Sequence, residues 1–269
     1  MGKIKSLLLS VGIMMLFFIL FHSSVSAQST IENQILDELI GYKFKHIVVN
    51  TDLSDTRIPI IIGLHWKGST PNEFSKFLTG FDFPVRLILV QGQYPSYQGY
   101  FSFFRIIPNS YYTLPKDEKM ELLLTEGEKR SKFIKSIISK YKPGKKPVII
   151  GASQGEDLAY VIGVRCNNLI SLSCPLFTTL DNRIIKPQIK PTQKSLARIE
   201  IFHGIENNIV PIERVKQYFQ LLKDNNYDVN LHVYKDVSHD IPDEMIIGFN
   251  KLITKYLCGV LREGIINTI

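Results

Sequence analysis

Several short segments of the chain are apolar at almost every position, and this feature limits the possible folds most. Ile58–Leu64 and Val85–Val90 are the clearest examples. A strand that is apolar without alternation is buried on both faces, as in a parallel sheet that helices cover on each side. The same reasoning, with weaker patterns, predicts five further strands: Lys45–Val49, Pro147–Ile150, Leu169–Ser173, Arg198–Phe202 and Asn230–Tyr234.

Segments with helical periodicity lie between these strands. Asp117–Tyr141 is long and charged, and its apolar residues follow a helical spacing. Shorter helices are predicted at Asp157–Arg165, Ile212–Leu222 and Met245–Tyr256. Alternating strands and helices predict an α/β fold with a doubly wound, mostly parallel sheet and helices on both faces. Since no repeat or linker interrupts the alternation, we expect residues 28–269 to form a single domain.

The first 27 residues have the organisation of a secretory signal peptide. Lys3 and Lys5 precede the apolar run Leu7–Phe21, and the small residues of Val25–Ala27 suit signal peptidase. The apolar run is shorter than the roughly 20 residues of a membrane-spanning helix, so cleavage after Ala27 is favoured over an uncleaved anchor. The sequence therefore predicts a secreted or periplasmic protein without integral membrane association after cleavage.

Charge and cysteine content exclude some function classes. The formal net charge is +7, but the basic residues are spread out and no basic motif is interleaved with aromatic residues. Nucleic acid is therefore not a predicted partner. The three cysteines lack metal-ligand spacing. Export permits a Cys166–Cys174 bridge, while two buried free thiols are equally compatible with the sequence.

The clearest chemical motif is Gly151-Ala152-Ser153-Gln154-Gly155. It fits G-x-S-x-G, follows a predicted strand and opens a predicted helix, which is the context of a nucleophile elbow. The tight turn lifts the serine hydroxyl above the sheet and needs small neighbours because the backbone is crowded there. We therefore predict that Ser153 is a nucleophile.

A serine hydroxyl needs a nearby base, because it is a weak nucleophile at its ordinary pKa. His239 lies in a loop between the last predicted strand and the last predicted helix, from which it can reach Ser153 over the sheet edge. His232 lies within a strand, where packing is the better interpretation. His203 and His65 end strands and are expected to shape loops near the site.

Five segments together resemble the phospholipase/carboxylesterase branch of the α/β-hydrolases, which includes acyl-protein thioesterases and dienelactone-hydrolase-like esterases. Ile62–His65 is similar to its L-H-G segment, and Gln93–Tyr100 to its P…G-G-Y/W loop. Gly151–Gly155 matches G-x-S-x-G, His203–Pro211 is similar to H-G-x-x-D-x-x-V-P, and Ser238-His239 resembles the histidine loop. The resemblance implies the α/β-hydrolase fold and a serine esterase that needs no cofactor.

The position of the triad acid departs from the family pattern. Strict alignment places Asn207 where the family has aspartate, and an amide cannot stabilise an imidazolium by charge. Glu206 is adjacent, and glutamate serves as the acid in some α/β-hydrolases. We favour Glu206 on this chemistry and keep Asn207 as the alternative acid position, with Asp181 as a more distant candidate.

The oxyanion hole is expected to use two backbone N–H groups, those of Gln154 and of Trp66 in the loop after Ile58–Leu64. Trp66 replaces the family glycine, and its indole is expected either to form a wall of the substrate pocket or to pack in the core. Glu156 replaces a second family glycine. The aromatic segment of Tyr97, Tyr100, Phe101, Phe103 and Phe104 could line an acyl-binding wall.

These observations predict a secreted serine hydrolase that cleaves small carboxylic esters or thioesters through an acyl-enzyme on Ser153. No metal or organic cofactor is required by this chemistry. The departures at Asn207, Trp66 and Glu156 motivate the alternative, a catalytically weakened binding or accessory protein that keeps the fold.

Overall fold

The computed structural model describes residues 35–105, 110–177, 179, 181–185 and 196–258. The chain divides into two units, Met1–Thr30 and Ile31–Ile269, and every described residue belongs to the second. The predicted signal peptide lies outside the described residues and stays a prediction. Within the described ranges, no helix is both long and apolar enough to cross a membrane.

The centre of the structure is an eight-stranded sheet with the strand order β1-β2-β4-β3-β7-β8-β9-β10. Strands β1 and β2 pair antiparallel, β2 is antiparallel to β4, and all other neighbours are parallel. A separate pair, β5 and β6, forms a small antiparallel sheet. The strands are β1 Ile35–Leu39, β2 Tyr42–Val49, β3 Ile60–Leu64, β4 Val85–Val90, β5 Tyr94–Pro95, β6 Phe101–Ser102, β7 Val148–Ala152, β8 Leu172–Leu176, β9 Arg198–Gly204 and β10 Val229–Tyr234.

Within the described residues, five α-helices cover the two faces of the sheet: α1 Pro71–Ser75, α2 Lys116–Tyr141, α3 Gln154–Arg165, α4 Ile212–Asp224 and α5 Asp243–Cys258. One core cluster joins the sheet to α2, α3 and α4, for example through Phe133 and Leu158. A second cluster joins the other face to α1 and α5 through Phe74 and Phe249. The predicted fold class, a mostly parallel sheet with helices on both faces, is confirmed.

The continuous apolar runs are the strands at the middle of the sheet. Every residue of β3, β4 and β7 is buried, which is why these segments show no alternation of apolar and polar side chains. The carboxyl ends of β3, β7, β8 and β9 lie at one edge of the sheet, since these strands are parallel neighbours. This edge carries the candidate site.

Some elements differ from the sequence-based expectation. The strand predicted at Leu169–Ser173 runs instead from Leu172 to Leu176. Pro175 lies inside this strand and pairs with Gly151. Proline is rarely found within a central strand, so the sequence favoured an earlier end. Strand β1 and the short helix α1 were not predicted. Cys166, Cys174 and Cys258 are free thiols, so the possible bridge is absent from the structure.

Candidate active site

Ser153 occupies a sharp turn between β7 and α3. Its backbone angles are φ 50° and ψ −111°, a strained conformation for a residue with a side chain. The Ser153 N–H donates to the Leu176 carbonyl at 3.2 Å, which ties the turn to the end of β8. The serine therefore lies at the carboxyl edge of the sheet and at the N-terminus of α3, in the arrangement of a nucleophile elbow.

The two glycines of the motif are required by close backbone contacts. A Cβ at Gly151 would lie 2.3 Å from the Gly155 carbonyl oxygen. A Cβ at Gly155 would lie 2.3 Å from the Leu64 carbonyl oxygen and 2.6 Å from that of His65. Their absence lets α3 begin directly against the chain that leaves β3. The turn that carries Ser153 and the loop expected to form the oxyanion hole are therefore in close contact.

Asn207 lies against the imidazole of His239. The two side chains meet at 3.0 Å between Asn207 Nδ2 and His239 Nδ1. The Oδ1 atom of the same amide accepts the backbone N–H groups of Ile209 at 3.1 Å and Val210 at 3.0 Å. Only the carbonyl oxygen of an amide accepts hydrogen bonds, so these two contacts fix which end of Asn207 faces the histidine.

The orientation of Asn207 determines the tautomer of His239. The NH₂ group can only donate, so the neutral imidazole must accept at Nδ1 and carry its proton on Nε2. A general base for Ser153 needs the opposite tautomer, with the proton on Nδ1 and the lone pair on Nε2. The neutral ring is therefore held in the form that is unsuited to receive the serine proton.

The preferred acid, Glu206, does not reach the imidazole. Its side chain is exposed, and its backbone N–H donates to the Val237 carbonyl at 2.9 Å. Asn207, by contrast, is only 2% exposed. The expectation for Glu206 is corrected for this reason: the backbone bonds of the turn direct residue 207 inward and residue 206 outward. Asp181 pairs with Arg183 at 2.5 Å, and among the described residues no hydrogen bond joins it to His239.

His239 lies in a partly apolar environment. The Phe177 ring lies 5.1 Å from the imidazole, between ring centroids. Burial lowers the pKa of His239 below the ordinary value, and the nearby Asp240 opposes this shift only in part. A carboxylate at Nδ1 would act in the opposite direction by stabilising the charged ring. The lowered pKa therefore agrees with an amide in the acid's place.

Of the two expected oxyanion donors, Gln154 follows Ser153 directly, and Trp66 lines the same cleft as Ser153. Gln154 is the first residue of α3, so its backbone N–H has no acceptor within the helix. Trp66 follows β3, where the buried His65 holds the backbone: His65 Nε2 accepts the Gly92 N–H at 3.0 Å, and Nδ1–H donates to the Trp66 carbonyl at 2.6 Å. Burial lowers the pKa of His65 to about 4, so this bridging ring is neutral. Its expected role in shaping the loop is confirmed.

The other two histidines considered for the site, His203 and His232, are also structural. His203 Nε2 donates to the Val210 carbonyl at 2.9 Å, which supports the turn that carries Asn207. His232, on the edge strand β10, bonds Glu200 at 2.6 Å and stacks on Phe202 of the neighbouring strand β9. Neither ring is hydrogen-bonded to Ser153 among the described residues.

The cleft at Ser153 has two lobes that meet at Ser153 and His239, and Tyr112 and Ile209 border both. We call the first the apolar lobe; it has a volume of about 570 Å³ and is lined also by Trp66, Lys67, Phe77, Ala152, Phe177, Asp240 and Ile241. We call the second the basic lobe; it has a volume of about 620 Å³, and its charged lining residues are Lys116, Lys119, Arg183, Arg214, Asp157 and Asp181.

The walls of the cleft differ from those expected. Trp66 has both suggested roles, since it lines the apolar lobe and packs edge-to-face on Phe77 at 5.7 Å. The aromatic segment from Tyr97 to Phe104 lines neither lobe. Phe103 and Phe104 are fully buried, and the Phe103 N–H donates to Gln154 Oε1 at 2.7 Å, which ties this segment to the first residue of α3.

Sequence reasoning missed most of the residues that shape the cleft. Tyr112, Lys119 and Arg214 come from separate elements, and no local pattern connects them. Asp157 offered one signal, since it stands in the first turn of the helix that follows Ser153. It is buried, and it accepts a hydrogen bond from the Tyr111 hydroxyl at 2.7 Å.

The fold and this site define an α/β-hydrolase. A family model described as phospholipase/carboxylesterase matches residues 111–257, which include Ser153, Asn207 and His239. The chain belongs to the phospholipase/carboxylesterase family.

Individual relatives agree with this assignment. Acyl-protein thioesterase 1 of Gibberella zeae is 33% identical over 104 residues, which are 36% of this chain and 43% of that protein. The chain thus matches less than half the length of this curated relative. The solved structures of a Bacillus cereus carboxylesterase and of Zea mays acyl-protein thioesterase 2 share the fold. The former has a TM-score of 0.61 and 17% identity, covering 79% of this chain and 94% of its own. The latter has a TM-score of 0.58 and 19% identity, covering 79% and 98%.

Proposed function

We propose that the chain is an exported serine hydrolase that cleaves carboxylic esters or thioesters. The observation that carries this proposal is the strained turn at Ser153, which presents the serine to a cleft that His239 also lines. Membership of the phospholipase/carboxylesterase family supports the same reaction class. The N-terminal sequence pattern supports export, and sequencing a secreted product that begins at Gln28 would test it.

In the acylation step, Ser153 Oγ attacks the carbonyl carbon of the ester. His239 Nε2 takes the serine proton, and the backbone N–H groups of Gln154 and Trp66 stabilise the oxyanion. Collapse of the tetrahedral intermediate breaks the bond to the leaving oxygen or sulfur, which receives the proton from His239. The products of this step are an acyl ester on Ser153 and a free alcohol or thiol.

In the deacylation step, a water molecule attacks the acyl carbon and gives one proton to His239. The bond between the acyl carbon and Ser153 Oγ then breaks, and the serine recovers its proton from the imidazole. The carboxylic acid leaves, and the enzyme returns to its starting state. No metal or organic cofactor takes part in this scheme.

Asn207 limits the rate of both steps in this proposal. Accepting a proton at Nε2 first requires moving the ring proton to Nδ1, where it would point at the Asn207 NH₂ group. In a serine-protease triad, exchanging the acid for asparagine lowers turnover by about 10⁴, for the same tautomeric reason. We therefore expect slow hydrolysis from the natural chain.

Labelling with a fluorophosphonate probe tests the nucleophile. The natural chain should be labelled slowly, the Asn207→Asp variant faster, and the Ser153→Ala variant not at all. Ser139→Ala serves as a matched control, because Ser139 lies at an exposed position of α2 and lines neither lobe of the cleft. Labelling that persists in Ser153→Ala would exclude Ser153 as the nucleophile.

The tautomer of His239 favours a second candidate, a binding or accessory protein with residual catalysis. Turnover of short-chain p-nitrophenyl esters separates the two functions. Hydrolysis that disappears in Ser153→Ala supports the enzyme. A natural chain without hydrolysis above the Ser153→Ala background, while Asn207→Asp hydrolyses the same esters, supports the accessory role.

A further inference from the structure

The two lobes of the cleft differ in chemistry, although they meet at the same serine. Trp66, Phe77 and Phe177 give the apolar lobe an aromatic lining, and its charged residues, Lys67 and Asp240, are of opposite sign. The basic lobe carries four basic side chains against two carboxylates. A substrate that spans the serine would therefore meet an apolar wall on one side and positive charge on the other.

The positive charge of the basic lobe is only partly neutralised. Arg183 is paired with Asp181 and with Asp117, each at 2.5 Å. Within the described part of the chain, no carboxylate lies within 4.0 Å of the side-chain nitrogens of Lys116, Lys119 or Arg214. These three cations therefore remain available to an anionic group on a ligand.

Lys119 is held in position by the aromatic residues beneath it. Its Nζ lies 4.4 Å from the centroid of the Tyr111 ring and 5.8 Å from that of Tyr112. Tyr111 is itself fixed, since its ring stacks on Phe104 at 4.2 Å and its hydroxyl bonds Asp157. A cation on a rigid aromatic support loses little side-chain entropy when it binds an anion. Lys119 is therefore the anchor of the basic lobe.

Exposure distinguishes the roles of the two lobes in hydrolysis. Lys116, Arg183 and Arg214 are exposed, whereas Phe177 is buried and Trp66 and Phe77 are partly buried. An acyl chain must stay on Ser153 until water attacks, and the apolar lobe would shield it during that time. A charged alcohol or thiol leaves after the first step, and an exposed basic lobe gives it a hydrated exit.

We infer that the preferred substrate is an ester or thioester of an apolar acid whose alcohol or thiol carries an anionic group, a carboxylate or a phosphate. The apolar lobe holds the acyl chain, and Lys119 and Arg214 in the basic lobe bind the anion. This inference rests on the proposed hydrolase function and adds the substrate class.

A pair of synthetic esters tests the charge preference directly. The hexanoate esters of 3-hydroxybenzoate and 3-hydroxybenzamide have leaving groups of matched size, and only the first is anionic. Exposed ion pairs are individually weak, so two of them together should raise kcat/KM for the anionic ester by about two- to thirtyfold. The preference should fall as ionic strength rises, because the charges are accessible to salt.

Variants locate the source of the preference. In the double variant Lys119→Gln/Arg214→Gln, the ratio of kcat/KM for the anionic and neutral esters should approach one. The matched control is Lys132→Gln/Lys251→Gln, which removes two exposed charges outside the cleft. The control should keep the ratio of the natural chain. An equal loss in both double variants would assign the preference to net charge and overturn the inference.

The outcomes separate this inference from the proposed function. Equal hydrolysis of both esters overturns the inference and leaves the hydrolase intact. If neither ester is hydrolysed even by Asn207→Asp, the proposed function fails, and calorimetry with phenyl phosphate and benzoate still decides whether the basic lobe binds anions.

Binding that is weakened in Lys119→Gln/Arg214→Gln but not in the control double variant supports the anion site. Binding of only one of the two ligands identifies the anionic group. If neither phenyl phosphate nor benzoate binds, the inference of an anion site in the basic lobe is overturned.

Discussion

The chemistry of the site depends on one amide group. Asn207 and aspartate have nearly the same shape, and both can accept the backbone N–H groups of Ile209 and Val210 with one oxygen. They differ in what they present to His239: aspartate offers a second oxygen, which accepts a proton on Nδ1, whereas Asn207 offers a donor. Exchange of one heavy atom at residue 207 therefore selects the tautomer of His239.

The Asn207→Asp variant should hydrolyse p-nitrophenyl esters faster than the natural chain. The new carboxylate would favour the proton on Nδ1 and stabilise the imidazolium, and the reverse change in a protease triad sets an upper bound of about 10⁴ on the gain. Steady-state kcat is the measurement. Asn208→Asp adds the same charge at an exposed neighbour and should change kcat little, as should Glu206→Gln. A large loss in Glu206→Gln would restore Glu206 as the acid.

The pH dependence of turnover should move in the same variant. The base works only when it is neutral, and burial lowers the pKa of His239, so the acid limb of the natural profile should lie below about pH 6.5. A carboxylate at position 207 raises this pKa and should shift the acid limb to higher pH. The kcat profiles of the two proteins, measured side by side, give the comparison. A shift to lower pH would contradict the assigned contact.

The motif and its order along the chain indicated Ser153 and His239, and the structure brings both residues to one cleft. The sequence was not sufficient to choose between Glu206 and Asn207. Adjacent residues in a turn point in different directions, and the direction depends on backbone bonds such as that between Glu206 N–H and the Val237 carbonyl. Those bonds join segments far apart in the sequence.

At the scale of elements, the site depends on how closely α3 approaches the end of β3. In Gly155→Ala, the added Cβ would lie 2.3 Å from the Leu64 carbonyl oxygen. The backbone beside Trp66 would have to move to relieve this overlap. We expect kcat to fall by about 10², since misplacement of catalytic groups by about 1 Å has that effect. The stability cost should be about 1–3 kcal/mol, as is typical of overpacking.

Gly80→Ala is the control for this variant. Gly80 has φ 76° and no atom within 4 Å of an added Cβ, so the substitution adds backbone strain of about 1–2 kcal/mol without steric overlap. Urea unfolding should show similar stability losses in the two variants, while only Gly155→Ala loses turnover. Equal turnover in both would show that the contact with Leu64 does not matter for catalysis.

Element prediction succeeded where packing leaves a pattern in the sequence. The buried strands β3 and β4 appear as apolar runs, and α2 shows its buried stripe. It failed where tertiary contacts oppose local preference, as at Pro175 inside β8. The short helix α1 begins with Thr70 as its N-cap, but its five residues are too few to show a period.

The whole molecule should lose stability in mild acid. Burial is the main cause that lowers the pKa of both His46 and His65 to about 4. In the unfolded chain a histidine has a pKa of about 6.5, so between these values the unfolded chain binds more protons than the folded one. Stability therefore falls as pH falls, by up to about 1.4 kcal/mol per pH unit for each histidine.

Urea unfolding at about pH 7 and about pH 5 measures this loss, and His46→Gln tests its origin. His46 contacts Arg86 away from Ser153, so the variant removes a titrating group without altering the cleft. The difference in unfolding free energy between the two pH values should be smaller in the variant. An unchanged difference would show that His46 does not titrate on unfolding.

The fold of the whole molecule could be predicted, but the cleft could not. Alternating elements define a doubly wound sheet, and the sheet defines the edge where Ser153 lies. The lobes combine residues that the chain brings from distant segments, such as Phe77 and Phe177 in one lobe, Lys119 and Arg214 in the other. Only the three-dimensional arrangement of loops sets these neighbours, so no local sequence pattern indicates them.

The tautomer of His239 is the central claim, and ¹⁵N NMR of the imidazole measures it most directly. Of the six histidines in the chain, His239 can be assigned by comparison with His239→Gln. Above the pKa of the ring, the account predicts a Nδ1 resonance of the unprotonated type and a Nε2 resonance of the protonated type, with the two exchanged in Asn207→Asp. A protonated Nδ1 in the natural chain would contradict the account.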